Sequence, residues 1–188
     1  MASARQAEFA TARACARAAM AALGVEGPVL RRDGGSPQWP DGITGSISHT
    51  RGFCVSVSSR DDVAVGIDAE QVARIRPAVE KRILGDVERS ALTGLDADTR
   101  QVVVATIFAA KEAFYKAHYE VDARYLGFDA VRVNLDDAGA VSFSPDSGAV
   151  DDAVLARARG RIHLDVGRVI VGVTIDTSDF AVPLPSPS

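Results

Sequence analysis

The sequence contains only two cysteines, Cys15 and Cys54, among its 188 residues. Their positions lack the close, repeated spacing of cysteine ligands in a metal cluster. So few cysteines are typical of a protein whose thiols stay reduced, as they do in the cytoplasm. We therefore predict two reduced, buried thiols and a cytoplasmic location.

Long hydrophobic runs are also missing. No apolar stretch approaches the roughly 18–20 residues that a helix needs to span a bilayer. The first twenty residues include charged side chains that disfavour a signal peptide; these are Arg5, Glu8, Arg13 and Arg17. The sequence shows no repeat of solenoid length and no low-complexity tract. We therefore expect no membrane partner.

An excess of positive charge is absent as well. The formal net charge is −4 at pH 7, which argues against general binding of nucleic acids. Apolar residues make up 47% and charged residues 24% of the sequence, as in ordinary globular proteins. The length suffices for one domain or two small lobes with a core. Any site for phosphate groups must then be a local cluster of Arg and Lys.

The pattern on which the functional argument depends is an alternation that ends in two acids. Residues 63–70 alternate between the two faces of an extended chain, and Gly66, Asp68 and Glu70 share one face. Two carboxylates one pleat apart repel each other unless a cation lies between them. Mg²⁺ commonly binds one or two carboxylates together with phosphate oxygens and waters. The same pair also fits a buried strand that ends in a polar loop.

A second pattern predicts a long helix over residues 98–119, capped by Asp96 or Asp98. Its apolar residues form one wide stripe, which indicates a central position in the fold. Glu112 and Lys116 lie four residues apart and therefore share a face. They are either an exposed ion pair worth about 0.3–0.5 kcal/mol, or a metal ligand or base beside a phosphate contact.

The first part of the chain predicts a helix over residues 3–23 that ends at Gly24. Arg5, Arg13 and Arg17 lie off its apolar stripe and can point the same way. They form either a solvated basic face or part of a binding site. The stripe consists of Phe9, Ala12, Ala16, Met20 and Leu23.

A loop over residues 24–42, rich in Gly and Pro, precedes two short strands, 43–49 and 53–59, that predict a hairpin. His49 ends the first strand, where a histidine is usually structural or exposed. Ser48 fits a hydroxyl on the face of a sheet.

The remaining chain contains short helical signals and further strands. Residues 72–95 predict helix in two pieces, broken near residues 85–86, and their basic side chains fit either a solvated helix or a docking face for an acidic partner. Four strands are predicted after the long helix, at 131–135, 141–143, 161–166 and 168–175, before a frayed tail from Pro183.

Three segments read together resemble the 4'-phosphopantetheinyl transferases: Gly-Ser-Ile-Ser-His-Thr at 45–50, Gly-Ile-Asp-Ala-Glu at 66–70, and Phe-Ala-Ala-Lys-Glu-Ala-Phe-Tyr-Lys at 108–116. The segments at 5–9 and 39–42 resemble the surfactin- and enterobactin-type branch of that family. The resemblance covers about residues 5–135.

The resemblance implies an α+β fold of two similar α/β lobes with mostly antiparallel sheets, related by a pseudo-twofold axis. The N-terminal lobe, residues 1–62, would bind the 3'-phosphate and adenine side of coenzyme A. The C-terminal lobe, residues 63–182, would hold the metal and catalytic site, followed by a tail at 183–188. One chain would form the whole cleft and act as a monomer.

The resemblance also implies a reaction. Such enzymes transfer phosphopantetheine from coenzyme A to a serine of an apo acyl, peptidyl or aryl carrier protein and release 3',5'-ADP. Carried over by position, Asp68, Glu70 and Glu112 would hold Mg²⁺, with Mn²⁺ as the alternative. Glu112 is also the candidate base for the carrier serine, and Lys116 would contact the diphosphate. Asp68, Glu112 and Lys116 are thus the expected catalytic residues.

The remaining contacts with coenzyme A follow from the same resemblance. Ser48 and His49 would contact its 3'-phosphate and ribose end. Arg5, Arg13 and Arg31 would grip the 3'-phosphate, so that the arginine row serves a polyanionic ligand. The pantetheine end would lie near residues 125–126.

Departures from the family pattern leave alternatives open. The chain begins almost at the arginine-bearing helix, where relatives usually carry a further leading segment, and Gly34 stands where they often have lysine. A coenzyme A-binding or carrier-docking protein with impaired catalysis is therefore the alternative expectation. A third is an unrelated Mg²⁺-dependent phosphohydrolase.

Overall fold

The computed structural model describes the backbone of residues 2–60 and 62–178, and side chains from residue 6 onward within those ranges. The helices are α1 (Ala2–Ala21), α2 (Pro77–Ile83), α3 (Asp86–Ala91), α4 (Ala97–Asp122) and α5 (Asp152–Arg157). The strands are β1 (Leu30–Arg31), β2 (Pro37–Gln38), β3 (Ile43–Thr50), β4 (Phe53–Arg60), β5 (Val63–Gln71), β6 (Val131–Leu135), β7 (Ala140–Pro145), β8 (Ala158–Asp165) and β9 (Arg168–Asp176).

Most predicted elements are confirmed, with boundaries within a few residues. Helix α4 begins after Asp96, whose carboxylate accepts hydrogen bonds from the amides of Asp98 and Thr99. The short helix α5 was not predicted, because one and a half turns carry too little periodicity to be recognised. Within the described residues, no helix is long and apolar enough to cross a membrane. The predicted tail at 183–188 lies outside the described residues.

The C-terminal part of the chain is a helix laid across a five-stranded sheet. The strand order is β5-β9-β8-β7-β6, and every neighbouring pair is antiparallel. Helix α4 packs so closely on β5 that a Cβ atom at Gly66 would lie 1.8 Å from the carbonyl oxygen of Ala113. A glycine is therefore required where the helix backbone meets the strand. This close approach brings the acids of β5 next to the polar side chains of α4.

The N-terminal part has the same kind of layering on a smaller scale. Helix α1 packs on the β3–β4 hairpin, and Trp39 covers Gly45, where a Cβ atom would lie 2.5 Å from the indole ring. Its buried apolar cluster is small and includes Ala16 and Met20 of α1. Phe9 of the predicted apolar stripe is instead exposed. The fold is α+β with antiparallel sheets, as predicted; the pseudo-twofold relation and the lobe boundary at residue 62 stay predictions.

Side-chain hydroxyls join the two parts along β3 and β5. Alternate residues of β3 place their hydroxyls against the backbone of β5, in place of a continuous ladder of backbone hydrogen bonds. The Thr44 hydroxyl donates to the Val63 carbonyl (2.7 Å), the Ile67 amide donates to Ser46 Oγ (3.1 Å), and the Ala69 amide donates to Ser48 Oγ (3.2 Å). The face hydroxyls predicted on this strand therefore connect the hairpin to the acid-bearing strand.

The two thiols are free but only half-buried, contrary to the prediction of full burial. Cys15 on α1 lies 3.9 Å from the carbonyl oxygen of Cys54 on β4. The residues are far apart in sequence, so the sequence did not indicate that they meet where the helix crosses the hairpin.

Candidate active site

The site is built by β3, β5 and α4, and Asp68 of β5 lies where the three elements meet. Its side chain is buried, with the residue 5% exposed. Oδ1 accepts hydrogen bonds from Ser48 Oγ (2.8 Å) and from Lys116 Nζ (2.7 Å), and Lys116 also donates to the Ile67 carbonyl (3.0 Å). Oδ2 is buried without a hydrogen-bond partner in the described residues. Lys116 therefore forms its ion pair with Asp68, and one carboxylate oxygen stays available for a ligand.

Glu70 and Glu112 lie in the same electrostatic environment as Asp68. Burial, together with the negative charges of Asp68 and Glu112, raises the pKa of Glu70 from 4.5 to about 7 against the opposing effect of nearby basic groups. Burial, followed by the charge of Asp68, also raises the pKa of Glu112. The predicted convergence of β5 and α4 therefore brings all three carboxylates within electrostatic reach of one another.

These carboxylates do not form a ready-made cage for a metal ion. Among the side chains described, those of residues 6–60 and 62–178, no three of His, Cys, Asp or Glu are arranged to hold one. Mg²⁺ rarely requires such a cage, because waters and substrate phosphates complete its shell. The unpartnered Asp68 Oδ2 and the mutual repulsion among the acids are the features that a divalent cation would relieve. The donor set fits Mg²⁺ in its chemistry.

A cleft of about 380 Å³ opens beside this cluster. One wall comes from α4 and the segment after it, and the other from β2 and β3. Tyr125 is 85% exposed and packs against Tyr119 with tilted rings whose centroids lie 5.4 Å apart. The lining residues are Ser36, Pro37, Gly45, Ser46, Ile47, Glu112, Tyr115, Lys116, Tyr119, Glu120, Arg124, Tyr125 and Leu126. The cleft thus extends from the polar cluster to an aromatic end.

Arg13 and Arg31 form a second charged group. Arg13 is 9% exposed, donates to the Leu30 carbonyl (3.1 Å), and places its guanidinium 4.4 Å from the Phe9 ring centroid. Burial and the nearby charge of Arg31 lower its pKa. Neither arginine forms an ion pair with a carboxylate among the described residues. Two cations held together without an acid favour an anionic ligand. The side chain of Arg5 lies outside the described residues.

Ser48 and His49, predicted to contact the same end of coenzyme A, point to opposite faces of β3 because they are consecutive in a strand. Ser48 is buried against Asp68, whereas His49 is exposed. The structure therefore groups Ser48 with the carboxylates and does not bring His49 to them.

The sequence did not predict two ion pairs on α4. Arg32 Nη1 lies 3.3 Å from Glu120 Oε1 at the edge of the cleft, and no local pattern links these distant residues. Lys111 is fully buried and pairs with Glu88 at 2.8 Å. A signal for Lys111 existed, because it falls on the apolar stripe of its helix, four residues after Ile107.

Family models match two segments of the chain. The first, described as the 4'-phosphopantetheinyl transferase N-terminal domain, matches residues 1–59. The second, described as the 4'-phosphopantetheinyl transferase superfamily, matches residues 64–166. Residues 60–63 lie between the matched segments, and the lobe boundary at residue 62 stays a prediction.

Curated relatives include two proteins that are named 4'-phosphopantetheinyl transferase. The chain is 40% identical over 137 residues to 4'-phosphopantetheinyl transferase Svp of Streptomyces mobaraensis, covering 70% of this chain and 56% of Svp. It is 33% identical over 187 residues to 4'-phosphopantetheinyl transferase PptT of Mycobacterium tuberculosis, covering 91% and 79%. It is 32% identical over 139 residues to enterobactin synthase component D of Salmonella typhi, covering 69% and 54%. The chain thus spans little more than half of the length of Svp and of the enterobactin protein.

A solved holo-(acyl-carrier-protein) synthase from Bacillus anthracis, in complex with CoA (3',5'-ADP), is also similar, with 26% identity, a TM-score of 0.47, and coverage of 60% of this chain and 95% of that one. The family assignment depends on the sequence matches. They cover both parts of the fold, including the strand of Asp68 and the helix of Glu112 and Lys116. The chain belongs to the 4'-phosphopantetheinyl transferase superfamily, in the branch that includes enterobactin synthase component D.

Proposed function

We propose that this protein transfers 4'-phosphopantetheine from coenzyme A to a serine hydroxyl of an apo acyl, peptidyl or aryl carrier protein and releases 3',5'-ADP. The observation that carries the proposal is the meeting of Asp68, Glu70, Glu112 and Lys116 beside one cleft. A cluster of acids with one lysine suits a metal-dependent reaction of a diphosphate.

The diphosphate of coenzyme A would bind where Lys116 and the acids meet. Lys116 is partly exposed to the cleft and already neutralises Asp68. Its ammonium has three donors, of which two contact Asp68 and the Ile67 carbonyl, so one stays available for a phosphate oxygen. Lys116 therefore orients the diphosphate and stabilises the charge that develops on the leaving side.

Asp68, Glu70 and Glu112 would hold Mg²⁺, or Mn²⁺, together with the diphosphate oxygens. When bound, the ion neutralises phosphate charge as a Lewis acid. Ser48 fixes the orientation of Asp68 by donating to its Oδ1. Because that oxygen is already used by Ser48 and Lys116, Oδ2 is the oxygen available to the ion.

The carrier serine must lose its proton as its oxygen attacks the β-phosphorus. Glu112 lines the cleft, and its carboxylate is the candidate acceptor for that proton. The new bond joins the serine oxygen to the β-phosphorus, and the bond from that phosphorus to the bridging oxygen breaks. The 3',5'-ADP departs with the bridging oxygen, and Glu112 takes the proton directly or through water.

The ends of coenzyme A would lie at the two ends of the site. Arg13 and Arg31 form a cationic pair for the 3'-phosphate, and β1, which carries Arg31, pairs with β2 at the edge of the cleft. The aromatic end at Tyr119 and Tyr125 would receive the pantetheine arm. Since one chain builds both walls of the cleft, we infer that it acts as a monomer.

A single experiment tests this function. The protein is mixed with coenzyme A, Mg²⁺ and an apo carrier protein, and the carrier is weighed by mass spectrometry. We expect a mass gain of one phosphopantetheine, absent when the carrier serine is replaced by alanine or when the metal is chelated. Binding of coenzyme A without any gain would indicate a binding or docking protein instead. Breakdown of coenzyme A without labelling would indicate a phosphohydrolase. Either result would overturn the proposal.

A further inference from the structure

Two lysines on α4, five residues apart, have opposite surroundings. Lys116 reaches the cleft, whereas Lys111 is 0% exposed. The Lys111 ammonium donates to the Ile83 carbonyl, to Glu88 Oε2 and to the Phe128 carbonyl, each at 2.8 Å. All three of its donors are therefore used within the protein. Lys111 has no donor left for a phosphate, although it directly precedes Glu112.

Glu88 is as completely engaged as its partner. It is 4% exposed, its Oε2 accepts from the Gly85 amide (2.9 Å) as well as from Lys111, and its Oε1 accepts from the Val133 amide (2.9 Å). The pair thus connects α4 with the end of α2, the start of α3, the segment before β6, and β6 itself.

Stability alone is a weak reason for such a pair. Removing two charges from water costs several kcal/mol per ion, and well-packed apolar residues often replace a buried ion pair without loss. Apolar packing is not directional, whereas hydrogen bonds are. Five hydrogen bonds hold Lys111 and Glu88 in one arrangement. A fixed Lys111 would therefore oppose rotation or sliding of α4 relative to the elements that it contacts.

That rotation determines where the polar residues of α4 point. Glu112 is displaced from Lys111 by about 100° around the helix axis. Lys116 lies about one and a half turns after Lys111. A small rotation would move both away from Asp68, and misplacement by about 1 Å can cost about a hundredfold in rate. We propose that the Lys111–Glu88 pair is a positioning device that sets α4 so that Glu112 and Lys116 face Asp68. This inference rests on the proposed transfer reaction.

The test variant is Lys111→Met, which keeps the length of the side chain and removes its charge and donors. We expect kcat for carrier labelling to fall about 30-fold and KM for coenzyme A to rise by a clearly smaller factor, because Lys116 is displaced from the diphosphate whereas the arginines that grip the nucleotide are untouched. The second variant, Lys111→Met with Glu88→Gln, removes the unpaired buried charge. We expect it to recover thermal stability but not kcat.

The matched control is Arg100→Met. Arg100 anchors the same helix near its N-terminus through Glu80 and the Leu92 carbonyl, three turns before Glu112. We expect it to lower the melting temperature with kcat within about twofold of the wild type, since only part of the helix far from the site loses support. An equal fall in kcat for Arg100→Met, or full recovery of kcat in the double variant, would overturn the positioning role.

A structural measurement separates this inference from the transfer reaction. In crystals of Lys111→Met we expect the 2.7 Å contact between Lys116 and Asp68 to be lost, and in Arg100→Met to persist. An intact contact in Lys111→Met would refute the positioning role whatever the wild type catalyses. A wild type that labels no carrier would refute the proposed reaction, and the fate of this contact would still decide the role of Lys111.

Discussion

The acid cluster and the arginine pair are the two charged groups of the site, and they are built differently. Asp68 lies on a strand flanked by β3 and β9 and covered by α4, with its orientation fixed by Ser48 and Lys116. Arg31 is exposed on a strand of two residues, and Arg13 lies on a helix that packs on a thin hairpin.

We relate this difference in construction to the proposed roles: the acid cluster would take part in the reaction, and the arginine pair would recognise coenzyme A. Groups that must hold a reacting phosphorus in line require the rigid, large core of the C-terminal part. Groups that only recognise a distant phosphate tolerate the smaller core of the N-terminal part. We therefore expect changes in the acid cluster to act on kcat, and changes in the arginine pair to act on KM. Three predictions test this contrast and a fourth tests the aromatic end of the cleft, from the largest expected effect to the smallest.

The largest effect is expected for Asp68→Ala. It removes the carboxylate that Lys116 and the metal would share, and we expect transfer to fall about 1,000-fold or more, equivalent to about 4 kcal/mol of transition-state stabilisation. Carrier labelling followed by mass spectrometry measures the loss. Circular dichroism checks the fold, which we expect to persist because the Lys116 ammonium can reorient toward solvent. Normal transfer by this variant would refute the metal assignment.

Glu112→Gln is expected to cost about a hundredfold in kcat. The amide keeps the shape of the side chain but cannot take the serine proton or hold the ion with a charge. A titration with Mg²⁺ should also require roughly tenfold more metal for half-maximal rate. Glu120→Gln, on the same helix and the same cleft, is the control and should change kcat less than about threefold; an equal loss there would make the effect of Glu112 nonspecific.

Arg13→Met and Arg31→Met are expected to raise KM for coenzyme A about tenfold each, with kcat unchanged, because each loses a charge-assisted contact to the 3'-phosphate. The wild type should prefer coenzyme A over 3'-dephospho-coenzyme A, and the two variants should largely lose that preference. Arg17→Met, exposed on the same helix as Arg13, serves as the control. If the variants still preferred coenzyme A over 3'-dephospho-coenzyme A as strongly as the wild type, the 3'-phosphate would bind elsewhere. The contrast between the acid cluster and the arginine pair would then be wrong.

The smallest effect is expected at the aromatic end of the cleft. Tyr125→Ala removes an exposed ring that packs against Tyr119, and we expect the rate with acyl-coenzyme A relative to coenzyme A to rise about threefold as the cleft widens. Competition between the two donors in one labelling reaction measures the ratio. An unchanged ratio would show that the pantetheine arm does not reach this end.

Local patterns in the sequence predicted much of the fold. The alternation that ends at Glu70 became β5, and the turn at residues 50–52 joined the predicted hairpin, because strand period and turn chemistry involve neighbouring residues only. Long-range pairs stayed hidden: nothing near Glu88 indicates that a lysine on another helix will meet it. The same holds for Ser48, whose partner Asp68 depends on how the hairpin lies against the sheet.

The sequence by itself determined the family, the succession of helices and strands, and the residue types of the site. Whether three acids separated by up to forty-odd positions share one environment depended on the contact of α4 with Gly66. Only the tertiary structure decided which oxygen of Asp68 is already engaged, and that Lys111 supports the site from within. The physical reason is that electrostatic and hydrogen-bonding partners are chosen by distance in space, which local periodicity does not encode.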